Sequence, residues 1–416
     1  MPSQASNVRR AAVSSLRAWA KGHAYIDGLV EKHASKNGLS RQDRALLQSI
    51  VYAVLRHRRL LDHWIGKLRK GKLDHETRDV LRVGLCQLLI LHIADHAVVN
   101  ETVNCAKTPV RGLINAVLRQ AITRRKRLME DVEDLPPALQ LSHPDWLYNR
   151  WRKIFSKADA LRLMEWNNQP ADVIARVNTL KEGAQETVSQ YEKATPLEGV
   201  DGYYKISGPP PGEWMKHGLV YIQDPATQHC VELLAPIPGE TILDACAAPG
   251  GKSTLIAAKM ENRGELLCTD SNEKRLPRLD ENLQNLGVDI AKTQPHDWME
   301  QAPAEWHGKF DAILLDVPCS NSGVLRRRID ARWRLRVEDI EALTKIQEQI
   351  LTNALPCLKD GGRIVYSTCS IDPEENRELI DAFLLKNKDW KLENEQVALP
   401  FRDDSDGAYA ARLSKV

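Results

Sequence analysis

The 416-residue chain lacks the signals of several protein classes. It has no run of about 18 apolar residues to span a bilayer. Arg9-Arg10 resembles a twin-arginine start, but the stretch from Ala11 to Gly22 is too short and too polar for an export segment. A cytoplasmic protein is expected. None of the eight cysteines belongs to a C-x-x-C pair or to a Cys/His cluster with zinc-ligand spacing, so no metal site is expected. A chain this long without an export signal is a poor candidate for a disulfide framework. The dinucleotide pattern G-x-G-x-x-G is absent, and so are internal repeats and low-complexity tracts. Net charge is also small, at +2, but it conceals an asymmetry: residues 1–130 carry 24 Lys/Arg against 10 Asp/Glu, and the remainder 34 against 46. A basic first part joined to an acidic second part implies a polyanionic partner for the first.

Two or three domains are expected at this length. Residues 5–130 read as helices throughout. Arg41–Arg56 places Leu46, Leu47, Ile50, Val51, Val54 and Leu55 on one face, with Ser40 as N-cap and Asp43 in capping-box position. Leu81–Ile93 and Gly112–Ile122 repeat the pattern. The second of these runs into Arg124-Arg125-Lys126-Arg127, either a solvated helix end or an RNA contact. Asp134-Leu135-Pro136-Pro137 marks a boundary, and a mixed region with the turn-rich Gly208–Gly212 continues to about 235. Strands then alternate with helices: Thr241–Cys246, Glu265–Asp270, Lys292–His296, Phe310–Asp316 and Gly362–Thr368, with helices at Asn272–Asn285 and Val337–Leu358. The expected organisation is an all-α domain over 1–135, a mixed α+β region over 136–235, and an α/β doubly wound, mostly parallel sheet over 236–416.

In such a sheet ligands bind beyond the carboxyl ends of the strands. Cys319, in Asp316-Val317-Pro318-Cys319, and Cys369, in Ser367-Thr368-Cys369, each follow an apolar strand, so two thiols are placed to face one pocket. The loop Asp244–Lys252 (DACAAPGGK) follows the first strand and opens a helix. A Walker A loop would need glycine where Cys246 stands, so Gly-Lys-Ser here is no P-loop. With Asp270 and Asp297 closing the next two strands, the pattern suits a nucleoside cofactor without pyrophosphate. S-adenosylmethionine, with its ribose, adenine and sulfonium cation, matches such a site.

Together DACAAPGGK at 244–252, DVPCSNSGVLRR at 316–327 and YSTCSIDPEEN at 366–376 resemble the RNA cytosine-C5 methyltransferases. DRALLQSIVYAVLR, HAVVNETVNCAK and GLINAVLR resemble a NusB-type RNA-binding helical domain. The resemblance implies a NusB-like domain joined to a Rossmann-like class I methyltransferase domain. It also implies action on 16S ribosomal RNA by a monomer, with transfer RNA as the alternative substrate. From another class, the rival is a non-catalytic RNA-binding assembly or antitermination factor. The resemblance implies S-adenosylmethionine contacts at Cys246, Ala247, Ala248, Pro249, Gly250, Gly251, Lys252, Asp270, Asp297 and Asp316. It makes Cys369 the nucleophile toward cytosine C6, Cys319 the group that assists product release, and Asp316 a partner of the base. DNA cytosine methyltransferases instead use the Pro-Cys cysteine and lack the second one. Arg326, Arg327, Arg328, Arg332 and Arg334, interleaved with Trp333, suit phosphate contact and base stacking, as do Arg124 and Arg125 for phosphate. Which cytidine is modified, whether naked rRNA or an assembling particle is the substrate, and what activates Cys369 are not legible in the sequence.

Overall fold

The structure is a computed structural model that describes residues 4–22 and 24–416; position 23, inside the expected helical stretch, lies outside the described residues. The chain forms two compact units. One runs to Gln169 and also takes in Arg328–Arg334; the other comprises Pro170–Arg327 and Leu335–Val416.

The first unit is helical. Arg41–Arg56 forms as expected: Ser40 Oγ accepts the Asp43 N–H, and Leu47, Ile50, Val51, Val54 and Leu55 are buried. Each such side chain contributes about 1.5–3 kcal/mol on burial. The expected Leu81–Ile93 helix instead spans His75–Leu89, because the Asp74 carboxylate caps Thr77 N–H nearly two turns earlier, within a charged stretch that hides the start. It stops at Leu89; Ile90 and Leu91 both donate back to the Cys86 carbonyl, and His92 turns to φ 50°. Gly112–Ile122 appears as Arg111–Thr123, and the basic run after it opens a separate short helix, Arg125–Glu130. The helical unit continues past Pro136-Pro137 through Asp145–Ile154 and Lys157–Asn168.

The segment Arg328–Arg334 is built into this unit. Ile329 is fully buried in its core. The Asp330 carboxylate accepts the Ile26 N–H at the start of helix Ile26–Lys36, and Trp333 Nε1 donates to the Leu55 carbonyl. Arg332 has no exposed surface and donates to the Asn167 carbonyl at 2.6 Å, Asn168 Oδ1 at 2.7 Å and the Arg56 carbonyl at 3.5 Å. This corrects the expectation that Arg332 contacts RNA: the side chain is buried, and its two terminal nitrogens donate inside the protein. Truncation would leave a cavity and unpaired carbonyls. Arg332→Ala is therefore expected to destabilise the helical unit by roughly 3–5 kcal/mol, read by chemical denaturation; a loss under about 1 kcal/mol would refute this structural role.

The second unit holds two sheets among the described residues. Strands β1 (Val173–Val177), β2 (Ala194–Pro196), β3 (Tyr203–Ile206) and β4 (Val220–Ile222) form an antiparallel sheet in the order β2-β3-β1-β4. Strands β5 (Thr241–Asp244), β6 (Glu265–Asp270), β7 (Ala291–Pro295), β8 (Phe310–Asp316), β9 (Leu358–Thr368), β10 (Trp390–Ala398) and β11 (Ala408–Lys415) form the second sheet, in the order β10-β11-β9-β8-β5-β6-β7. Strands β5 to β9 are parallel, while β11 and β10 run antiparallel at one edge. The Rossmann-like, mostly parallel sheet expected from the strand–helix alternation is present. Strands β10 and β11 were not expected. WKLENEQVA is largely polar, which suits an exposed edge strand and hides it from a search for buried runs. No helix among the described residues is long and apolar enough to cross a membrane.

Candidate active site

Strand β5 leads into the Ala245–Gly250 turn, and helix Gly251–Lys259 follows. The turn is fixed from β6: Ala247 N–H donates to the Thr269 carbonyl at 2.8 Å and Ala248 N–H to Asp270 Oδ2 at 3.2 Å. Gly250 has φ +101°, a region costly for side-chain-bearing residues, and a Cβ on Gly251 would lie 2.8 Å from the Tyr221 ring. Asp270, 3 % exposed, also accepts Asn272 N–H and pairs with Arg275 at 3.1 Å. Asp297 is exposed two residues beyond β7 and accepts Met299 N–H, capping a turn; no hydrogen bond joins it to the loop among the described residues.

Asp244 closes β5 completely buried. Its Oδ2 accepts Ser253 Oγ–H at 2.7 Å, while Oδ1 has no partner. Burial, reinforced by the negative charges of Asp316 and Asp270, pushes its carboxyl up to about 7. A carboxyl raised on folding contributes stability that is present below its unfolded value and lost as pH rises through the folded one. Asp244→Asn abolishes that titration. Its stability relative to the parent should therefore improve by on the order of 1 kcal/mol per unit between pH 4 and 7, measured by urea denaturation across that range; a pH-independent difference would refute the assignment.

Lys252 Nζ lies 2.6 Å from Asp316 Oδ2 at the end of β8. Burial alone would disfavour the ammonium, but Asp316 outweighs it and holds Lys252 protonated. Lys252 shares a small cavity of about 40 Å³ with Cys369, Thr368, His229 and Asp406.

The two thiols meet. Cys319 Sγ and Cys369 Sγ are 3.1 Å apart, and all eight cysteines are free. Contact with Cys369, then burial, raises the Cys319 thiol well above its usual range. Asn321, in the left-handed region at φ +59°, bridges the pair: its Nδ2 donates to the Cys319 carbonyl, and its Oδ1 accepts from the Cys369 thiol at 3.4 Å. Gly323 N–H donates to the Cys369 carbonyl, and Gly407 N–H to the Gly323 carbonyl. A Cβ on Gly323 would sit 2.7 Å from both the Cys369 carbonyl oxygen and Gly407 Cα, so only glycine permits this approach. Beneath them the buried Glu375 accepts from Ser320 N–H, Gln347 Nε2 and Ser370 Oγ, pinning the two cysteine loops together.

This geometry has relatives. Residues 231–413 match the model of the 16S rRNA methyltransferase RsmB/F family, residues 6–123 that of the NusB family, and residues 143–195 the ferredoxin-like domain of RsmF/B-like methyltransferases. Over 405 residues the chain is 36% identical to the ribosomal RNA small subunit methyltransferase B of Citrobacter koseri, covering 91% of this chain and 92% of that protein. The chain belongs to the 16S rRNA methyltransferase RsmB/F family. The Proteus mirabilis protein of the same name is likewise 36% identical over 402 residues, with 91% and 92% covered. Among solved structures, that of PH0851 superposes with TM-score 0.78 at 25% identity and covers 99% of each chain. A methyltransferase homolog from Pyrococcus horikoshii gives 0.58 at 28% identity, covering 67% of this chain and 98% of its own. The chain is thus an RNA methyltransferase with a NusB helical domain and a Rossmann-like methyltransferase domain.

Several arginines expected at RNA serve this family member differently. Arg326 is 2 % exposed; it bonds Asp406 Oδ1 at 2.9 Å and lies 3.4 Å from Asp224 Oδ2. Arg327 bonds the same two carboxylates. Two guanidiniums and two buried aspartates therefore tie the loop after Cys319 to the residue before Gly407, and the RNA role expected of Arg326 and Arg327 is corrected to loop fastening. Arg328 is more than half exposed, 3.3 Å from Asp27; Arg125 pairs with Asp95, and Arg124 is exposed. No cluster of metal-ligating side chains occurs among the described residues. Asn321, Glu375, Asp224 and Asp406 were missed. Asn321 in Ser-Asn-Ser-Gly carried a usable signal, since asparagine tolerates the left-handed region; the three acids carried none.

Proposed function

We propose that the chain methylates C5 of a cytidine in 16S rRNA with S-adenosylmethionine as donor, through a covalent bond between Cys369 and cytosine C6. The observation that carries this reading is the 3.1 Å contact of two free thiols at the ends of β8 and β9, beside the Lys252–Asp316 pair.

The residues present fit the cofactor. A glycine-rich turn without a phosphate cradle, the buried acid Asp270 and the unpartnered Asp244 Oδ1 form an acceptor-rich site suited to ribose hydroxyls and a cation. Ala247–Lys252, Asp270 and Asp316 would hold it. S-adenosylmethionine supplies an electrophilic methyl group to C5.

Cytosine C5 is too poor a nucleophile unaided. Cys369 thiolate forms the S–C6 bond and loads C5 with electron density, splitting one hard step into two. Asp316 accepts from the exocyclic amine, and the Lys252 ammonium beside it offsets negative charge developing on the ring. After methylation, C5 must lose its proton; the electron pair then expels Cys369 from C6. Cys319, a thiol in contact with Cys369, is the group placed to pass that proton on: it gives its own proton to the departing Cys369 thiolate and takes the C5 proton in its place. We assign RNA gripping to the helical domain at 1–135, support to 136–235 and chemistry to 236–416.

Bisulfite sequencing of 16S rRNA and transfer RNA from a deletion strain tests the substrate. One 16S cytidine should lose its 5-methyl mark and regain it on incubation with enzyme and cofactor. Loss confined to transfer RNA, or no loss in either pool, would overturn the reading.

A further inference from the structure

The helical unit contains a cavity of about 390 Å³ that no role above uses. Its lining includes Arg17, Trp19, Lys21, Arg58, Arg78 and Arg82. Some of this charge is neutralised: Arg82 pairs with Asp62 and Asp79, and Arg17 with Glu76. Lys21, Arg58 and Arg78 have no carboxylate partner among the described residues.

Arg58 is held in an unusual way. Its guanidinium lies 5.2 Å from the Trp19 ring centre and 5.4 Å from that of Trp333, within the same unit. Stacking on ring faces fixes the plane of a guanidinium and leaves its in-plane N–H fork free for a planar or tetrahedral oxyanion. Trp19 is 7 % exposed, and its indole N–H has no acceptor. Buried N–H groups normally find partners, so an orphan donor beside three cations that form no ion pair of their own marks a place where an acceptor is missing. Burial, then the positive charge of Arg82, lowers the Arg58 pKa against the opposing pull of Asp62 and Asp79, the two carboxylates that Arg82 already holds.

We propose that this cavity is a docking site for backbone phosphate of the RNA substrate, with Arg58 as the bidentate anchor and Lys21 and Arg78 as supporting charges. The inference rests on the proposed action on 16S rRNA and deepens it. The pocket offers mainly stacked aromatics and cations, which suit phosphate, so it positions RNA without specifying sequence. Arg58 is wedged between two indoles, so its replacement endangers the fold; Lys21 and Arg78 lie toward solvent and are the residues to change.

The test uses the full-length enzyme and a 16S rRNA transcript. Lys21→Gln/Arg78→Gln should raise the KM for rRNA about tenfold at 150 mM salt and flatten the log–log salt dependence of RNA binding by about 1.5. kcat at saturating RNA and calorimetric affinity for S-adenosylmethionine should stay unchanged, and Lys21→Arg/Arg78→Lys should restore KM. An unaltered KM and salt slope would overturn the proposal. If the parent enzyme transferred no methyl to the transcript, the functional reading would fail on its own. Filter binding of the same RNA would then still decide the docking site: weaker binding by the double variant supports it, and equal binding overturns it. Titration with inorganic phosphate separates the sources. Sub-millimolar binding that the double variant loses, with RNA binding unchanged, would make this a free-phosphate site and overturn the assignment to RNA.

Discussion

Cys369→Ala eliminates turnover, by on the order of 10⁴-fold or more, while the affinity for S-adenosylmethionine persists. Covalent catalysis removes an intrinsic barrier that binding alone cannot, so loss of the nucleophile leaves only positioning. Cys319→Ala behaves differently. The S–C6 bond still forms and C5 still receives its methyl, but elimination stalls, and a covalent enzyme–RNA adduct accumulates that survives a denaturing gel. The release role proposed for Cys319 rests on its contact with Cys369 at 3.1 Å, which lets a proton pass between the two sulfurs. Full turnover by Cys369→Ala would reassign the nucleophile. Normal product release by Cys319→Ala, with no adduct, would remove its release role.

The second large effect is on stability. Asp406→Ala takes from Arg326, 3 % exposed at its side chain, and from Arg327 one of the two buried carboxylates they share, Asp224 being the other. Breaking a buried ion network strands an uncompensated charge and costs about 3–5 kcal/mol, far more than loss of a surface pair. Asp406→Asn keeps an acceptor for one guanidinium and should cost less. Because Asp406 precedes Gly407, which bonds Gly323 behind Cys369, activity should fall with stability. Equilibrium urea unfolding of both variants, with single-turnover methylation alongside, measures this. A loss under about 1 kcal/mol for Asp406→Ala would mean that water or other groups already satisfy Arg326.

The chain's own pattern carried the larger architecture. Helix Arg41–Arg56, strands β6 and β8, and the loop opening helix Gly251–Lys259 all declare themselves through local periodicity, caps and glycines. Strand β10 did not, because an exposed edge strand has no apolar face to show. The arginines after Cys319 were legible as charge but not as destination. A cluster of arginines near a Trp looks the same in sequence whether it faces RNA or carboxylates.

What sequence alone determined is therefore the chemistry carried by contiguous residues: two thiols and two aspartates at strand ends, a glycine turn, a basic helical first part. Those signals are local, and hydrophobic patterning places them on the same edge of one sheet. Tertiary structure alone decided the pairings. Arg326 finds Asp406 eighty residues away and Asp224 at 102, and Arg332 reaches Asn168 across 164. Whether a charge is buried or free depends on which distant oxygen meets it, because desolvating a guanidinium is tolerable only where acceptors are already in place. The same holds for the 3.1 Å that brings the thiols together, which depends on the Gly323–Gly407 approach and on Glu375 beneath it.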